Sequence, residues 1–152
     1  MDSMDRKIIA ALQQDGRMTN QALADAVGLS PSPCLRRVRA LEEAGLITGY
    51  AATLNRERAG LPITAFVRVK LTGHTSDAVS KFERAVLAMD EVLQCHLTSG
   101  SEDYLLEVVA DSQQGYADFL RERLNHVPGV AAIETSFSLS AVKRTGALPV
   151  SG

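Results

Sequence analysis

Gly28-Leu29-Ser30-Pro31-Ser32-Pro33-Cys34-Leu35-Arg36-Arg37-Val38-Arg39-Ala40-Leu41 is the stretch on which the fold of this chain turns. Gly28 ends one helical pattern, Ser30 is a favoured N-cap type, and Pro31 stands at the first helical position, where its missing N–H costs nothing. Leu29, just outside, can pack back onto the new helix. A helix over about 31–44 is predicted, closed by Gly45. At 100° per residue, Cys34, Leu35, Val38 and Leu41 collect on one side, while Ser32, Pro33, Arg36, Arg37 and Ala40 lie on the other. One face is expected to be core and the other free.

Upstream, the pattern remains helical. Asp2 or Ser3 can cap a first helix over about 5–14 that turns Met4, Ile8, Ile9 and Leu12 inward, with Asp15-Gly16 as its stop. Thr19 can cap a second, with Ala22, Leu23, Ala26 and Val27 on one side. Three short helices with a glycine turn between the second and third make a helix-turn-helix, whose third helix enters the DNA major groove. Arg36 and Arg37 can donate to phosphate or to the acceptor edge of guanine, Ser32 can bond either, and Ala40 leaves room for close approach. Ser30, Pro33 and Arg39 complete the candidate DNA-binding set. The competing reading of a bare three-helix pattern is that these arginines are the solvated face of a small bundle.

Downstream, the periodicity changes near residue 47, where helical spacing gives way to alternation. Residues 46–54 read as an extended segment or small wing, and 55–62, with Gly60 and Pro62, as a linker. Ala65, Val67, Val69 and Leu71 then share one face of a strand. A helix over about 76–89 follows, with Val79, Phe82, Val86 and Met89 at helical spacing. Strands over about 92–99 and 103–110 are joined by Gly100-Ser101-Glu102. A second helix carries Tyr116, Phe119, Leu120 and Leu124, and a last strand runs through Ile133, Thr135, Phe137, Leu139 and Ala141. Strand, helix, strand, strand, helix, strand is the ferredoxin-like order, with both helices on one face of an antiparallel sheet. Phe66, Val92, Leu105 and Val109 fall out of phase and are expected on the uncovered face, where they would pair with a second copy.

The fold class expected is therefore α+β, a (winged) helix-turn-helix domain followed by a ferredoxin-like βαββαβ domain. The boundaries expected are 1–50 for the first domain, 51–62 for a hinge, 63–142 for the second domain and 143–152 for a C-terminal tail.

Composition narrows the function classes. The chain has 152 residues, 45% hydrophobic and 22% charged, with formal net charge -2, which describes an ordinary globular protein and not a disordered one. Residues 1–60 hold eight basic against seven acidic side chains, and the remainder eight against eleven. Locally, no acid lies between Asp25 and Glu42, so the third helix can present a small basic surface. No apolar run could span a bilayer and the first residues have no secretory apolar core, so a cytoplasmic protein without membrane partners is expected. Cys34 and Cys95 are too few and too far apart for a disulfide framework or a zinc site. Cys95 and His96 sit at adjacent strand positions and point to opposite faces, His74 and His126 read as surface or capping residues, and no paired acid and base stands at usable spacing. No metal, cofactor or catalytic residue is expected, and the chain is read as a non-enzyme.

The sequence resembles the leucine-responsive and asparagine-responsive transcription regulators, the Lrp/AsnC family, over nearly its whole length. The resemblance rests on Met4-Asp5-Arg6-Lys7-Ile8-Ile9 with Gln14-Asp15-Gly16-Arg17, on Leu29 to Val38, and on Leu41-Glu42-Glu43-Ala44-Gly45-Leu46-Ile47-Thr48-Gly49-Tyr50. Cys95-His96-Leu97-Thr98-Ser99-Gly100 with Asp103-Tyr104-Leu105-Leu106 extends it into the second half. It implies a DNA-binding domain joined to a domain that forms dimers, then tetramers or octamers, and binds small effectors, usually amino acids, between dimers. By the same resemblance the effector site centres on Gly100, Ser101, Glu102, Asp103 and Tyr104, with Leu97, Thr135, Ser136 and Phe137 nearby. Backbone N–H groups of the glycine turn can hold a carboxylate and Asp103 or Glu102 an ammonium, which together suit a zwitterion. Many relatives place an aspartate where this chain has Ser101. The competing reading leaves Glu102 and Asp103 as solvated loop acids and Tyr104 packed in the sheet. The function expected is a sequence-specific, effector-responsive DNA-binding regulator. A ligand-independent architectural DNA-wrapping protein is the alternative.

Overall fold

A computed structural model describes residues 1–150 and divides the chain into two compact units, Met1–Thr53 together with the segment from Lys143, and Leu54–Val142. The first unit has three helices, α1 (Ser3–Gln14), α2 (Asn20–Val27) and α3 (Pro31–Glu43). Asp2 caps α1 in a reciprocal box: its carboxylate accepts from the Asp5 backbone N–H, and the Asp5 carboxylate accepts from the Asp2 N–H. Thr19 caps α2 through its hydroxyl, and Gly28 ends α2 in the left-handed conformation (φ 76°) that favours glycine. Ile8, Leu23, Ala24 and Cys34 close the core between them.

Three expectations for this unit need correction. Ala24, not Ala22 or Ala26, joins Leu23 and Val27 in the core. Leu35 is exposed, because it lies about 100° around α3 from Cys34, at the margin of a stripe that Cys34, Val38 and Leu41 already define. Ser30 occupies the N-cap position, but its hydroxyl makes no capping bond. The Asn20 side-chain amide instead donates to the Pro31 carbonyl at 2.9 Å and ties the start of α2 to the start of α3. After α3 the chain runs without strand pairing among the described residues, so no wing strand forms within the protomer. Tyr50 is held by a 2.9 Å bond from its hydroxyl to Glu42.

The second unit contains β1 (Ile63–Leu71), α4 (Ser76–Leu87), β2 (Val92–Leu97), β3 (Tyr104–Ala110), α5 (Gln113–Glu122), a short 3-10 turn (Leu124–His126) and β4 (Val130–Phe137). The strands form one antiparallel sheet in the order β2-β3-β1-β4. Alternation puts Val67, Val69, Leu106 and Val108 beneath Phe82 of α4 and Phe119 of α5, all buried. The Phe82 and Tyr104 rings pack at 4.6 Å between centroids.

The open face differs from expectation in two ways. Val92 pairs with Val108 on the helix-covered side, because an irregularity between Val92 and Gln94 shifts the phase of β2. Val109 is buried, whereas Phe66 remains 41% exposed. Residues 55–61 turn on themselves through bonds from the Ala59 N–H to Asn55 and from the Leu61 N–H to Arg56. The Arg56 guanidinium reaches Glu107 at 2.7 Å and Thr64 at 3.1 Å, so this segment belongs to the second unit. β4 stops at Phe137; Leu139 lies beyond it and is fully solvated. No described helix is long and apolar enough to cross a membrane.

Candidate DNA interface and effector hairpin

The first candidate surface is α3. Its exposed face carries Ser32, Leu35, Arg36, Arg39, Ala40 and Glu43, which together line a shallow groove. The buried stripe fixes that face outward. Arg36, Ser32 and Ala40 thus share the face that the helical wheel assigns to them, Arg39 joins them, and Glu43 adds an acidic end. Pro33 is half-buried at the side.

Arg37 is the exception. One of its terminal nitrogens donates to Asp2 at 2.8 Å and to Asp5 at 2.7 Å. On a helical wheel it falls about 60° from Cys34, on the flank of the buried stripe and next to the N-terminus of α1. Its hydrogen bonds to Asp2 and Asp5 raise its pKa above the ordinary arginine value, while the Asp5 N–H and then Arg37 hold the Asp2 carboxyl below the usual range. Arg37 is therefore a clamp between helices and not part of the free basic face. The signal was present in the sequence as two acids three apart at the start of α1, but the pairing across 32 positions is a tertiary fact.

The second candidate surface is the β2–β3 hairpin. Gly100 and Ser101 are exposed with Glu102 half-buried, and Gly100 has φ 137°, a conformation that favours glycine. Asp103 is not a solvated loop acid. One carboxylate oxygen accepts from the Leu71 N–H at 2.7 Å and the other bonds His74 Nε2 at 2.7 Å. Its own N–H donates to Val69 and its carbonyl accepts from the Thr98 N–H. The Leu71 N–H, then His74, hold its carboxyl below the usual range. A carboxylate so engaged fixes the root of the hairpin.

Tyr104 is buried, and its hydroxyl donates to Glu83 of α4 at 2.9 Å. Burial first, then Glu83, pushes its pKa up to about 12. Leu97 lies opposite Tyr104 at the open end of β2 and is largely exposed.

The remaining predicted residues do not join this group within the protomer. Thr135, Ser136 and Phe137 stand opposite Val67, Phe66 and Ala65, whereas Tyr104 stands opposite Val69, with β1 between. Alternation also divides them: the Thr135 hydroxyl bonds Tyr116 at 2.5 Å and Phe137 packs edge-on against the Tyr116 ring, while Ser136 points to the open face. Cys95 is an exposed residue, but desolvation of its sulfur and the nearby Glu83 push the thiol up to about 11, which disfavours the nucleophilic thiolate. No cluster of three metal-ligating side chains occurs among the described residues.

Comparison with known proteins follows the same division. Residues 1–48 match a family model described as winged helix-turn-helix DNA-binding, and 64–148 match one described as Lrp/AsnC ligand binding domain. The chain is 39% identical over 150 residues to the DNA-binding transcriptional activator DecR of Escherichia coli K12, covering 99% of both. It is also 39% identical to the leucine-responsive regulatory protein of the same strain, covering 99% of this chain and 92% of that one. Among solved structures, it is similar to the Neisseria meningitidis regulator NMB0573 in complex with L-Met, with TM-score 0.95, 39% identity, and 99% and 97% of the two chains covered. An AsnC family regulator from Agrobacterium tumefaciens aligns with TM-score 0.94 at 32% identity, over 99% of this chain and 97% of that one.

Proposed function

This chain belongs to the Lrp/AsnC family of DNA-binding transcriptional regulators, and from that premise we propose how it reads DNA and what controls it. Ser32, Arg36, Arg39 and Ala40 of α3 enter the major groove, with Ser30 and Pro33 at the entry of the helix. Arg36 and Arg39 donate to phosphates or guanine edges, and Ala40 lets the helix axis approach the bases. The observation that carries this reading is the back of α3 being fixed by buried Cys34 and Leu41, which leaves that face open to a ligand of helical shape.

The effector is an amino acid, the class of molecule bound in the Neisseria relative. Free backbone donors at Gly100, Ser101 and Glu102 receive its carboxylate. Tyr104 is turned under α4, so the effector's ammonium is met by the remaining lone pairs of Asp103 or by groups from another copy. The half-open sheet face with Phe66 and Leu105 supplies the contact for a dimer, and hairpins from facing dimers complete the site. A ligand held by two dimers favours the assembly in which both halves exist, and that assembly sets the spacing of the recognition helices along cytoplasmic DNA. No step of this mechanism requires catalysis.

Calorimetry of the full-length protein with the twenty amino acids, followed by light scattering with any hit, tests the reading. Heat of binding accompanied by a change in assembly size is expected. If no amino acid binds while DNA is still retained, the alternative of ligand-independent DNA wrapping replaces it, an outcome to which the internal engagement of Asp103 and Tyr104 lends support.

A further inference from the structure

The segment from Lys143 belongs to the first unit, although the chain reaches it from the second. The backbone therefore passes between units twice, at Thr53/Leu54 and at Val142/Lys143. Specific contacts hold the returning segment. The Gln13 side-chain amide near the end of α1 engages both backbone groups of Leu148: Nε2 donates to the carbonyl at 3.1 Å, and Oε1 accepts from the N–H at 2.5 Å. A primary amide carries one donor group and one acceptor side by side, the same pair that a neighbouring strand would present.

The segment is also organised in itself. The Val150 N–H donates to the Leu148 carbonyl at 2.9 Å across Pro149, a tight turn that suits the fixed φ of proline. The Ala147 N–H donates to Thr145 Oγ1 at 3.1 Å. Val150 packs half-buried against the cluster that contains Ile8, Leu23 and Cys34, while the Leu148 side chain is 70% exposed. Leu148 is thus recognised through its backbone and Val150 through its side chain.

We infer that the α1 surface around Gln13 is a docking site for a turned Leu-Pro-Val segment, occupied by residues 148–150 of the same chain, and that this segment is a second tether on the DNA-binding unit. One connection leaves a unit free to sweep through many orientations; a second closes a loop and removes most of them. For a protein that must place two recognition helices on one duplex, fewer orientations raise the effective concentration of the second helix once the first is bound. This consequence rests on α3 being the DNA-reading helix, whereas the docking does not.

Hydrogen exchange on the full-length protein tests the docking without DNA. The Leu148 amide is expected to exchange at least about tenfold more slowly than in Gln13→Ala, and trypsin to cut after Lys143 or Arg144 faster in the variant. Equal exchange in the two proteins overturns the docking. Val150→Asp, which attacks the other anchor, is expected to deprotect the same amide. On a duplex with two half-sites both variants are expected to bind about threefold to tenfold more weakly, with unchanged binding to a single half-site. Deprotection with unchanged two-site affinity overturns the tether. Arg36→Ala run alongside keeps the cases apart, since its failure to weaken DNA binding would indict the recognition helix and not the tether.

Discussion

The Arg37 guanidinium lies 2.7 Å from the Asp5 carboxylate, so α3 is bolted to α1 by an arginine adjacent to one that faces solvent. Two neighbouring residues of the same type thus have opposite duties, decided by 100° of rotation about the helix axis.

Arg36→Ala and Arg37→Ala should separate cleanly. Arg36→Ala is expected to leave thermal stability unchanged and to lower the slope of log affinity against log salt by about one, as loss of one phosphate contact requires. Arg37→Ala is expected to lower the unfolding midpoint of the N-terminal unit while leaving that slope unchanged. Salt titrations of DNA binding and melting curves on both variants check this, and a reversed pattern would exchange the two roles.

Asp103 makes stability depend on acid. Its folded carboxyl is depressed below the ordinary value of 3.8, so its contribution is present above that value and disappears as pH falls through the lower folded pKa. Urea midpoints at pH 6 and at pH 3 are expected to differ less in Asp103→Asn than in the parent. An identical acid dependence would show that Asp103 is not held as the Leu71 and His74 bonds require.

Tyr104→Phe removes the hydroxyl bonded to Glu83 and leaves the ring against Phe82. A loss of about 1 kcal/mol of stability is expected. Because that hydroxyl is turned under α4, amino-acid affinity should stay within about twofold of the parent, the effect of a few tenths of a kcal/mol. A large loss of affinity in calorimetry would instead put the hydroxyl at the ligand.

Leu106→Ala empties a fully buried position at the centre of the sheet. A loss of about 2–5 kcal/mol is expected, measured by denaturant unfolding of the C-terminal unit. Leu97→Ala, at an exposed strand end, should change it by less than about 0.5 kcal/mol.

Much of the candidate α3 surface is legible in the sequence because its determinants are local. Pro31 and Gly28 mark the start of α3 and the end of α2, and a helical wheel finds Arg36, Arg39 and Ala40 opposite Cys34 and Leu41. Leu35 and Arg37 lie at the edges of the buried stripe, where neighbours and not helical phase decide exposure, so the wheel places Leu35 in the core and Arg37 on the free face, against the structure. The phase of β2 was misread at Val92 because an irregularity in pairing leaves no mark on alternation.

Sequence alone determined the two-unit α+β order, the Thr19 cap and Gly28 stop of α2, and the centre of each buried stripe, because periodicity and glycine and proline chemistry act within a few positions of the chain. Only the tertiary structure decided that Arg37 pairs with Asp2 and Asp5, that Asp103 is engaged by Leu71 and His74, and that Gln13 receives Leu148. Those pairings join groups 29 to 135 positions apart. A hydrogen bond is won by whichever donor the fold brings within about 3 Å, and no local pattern encodes that proximity.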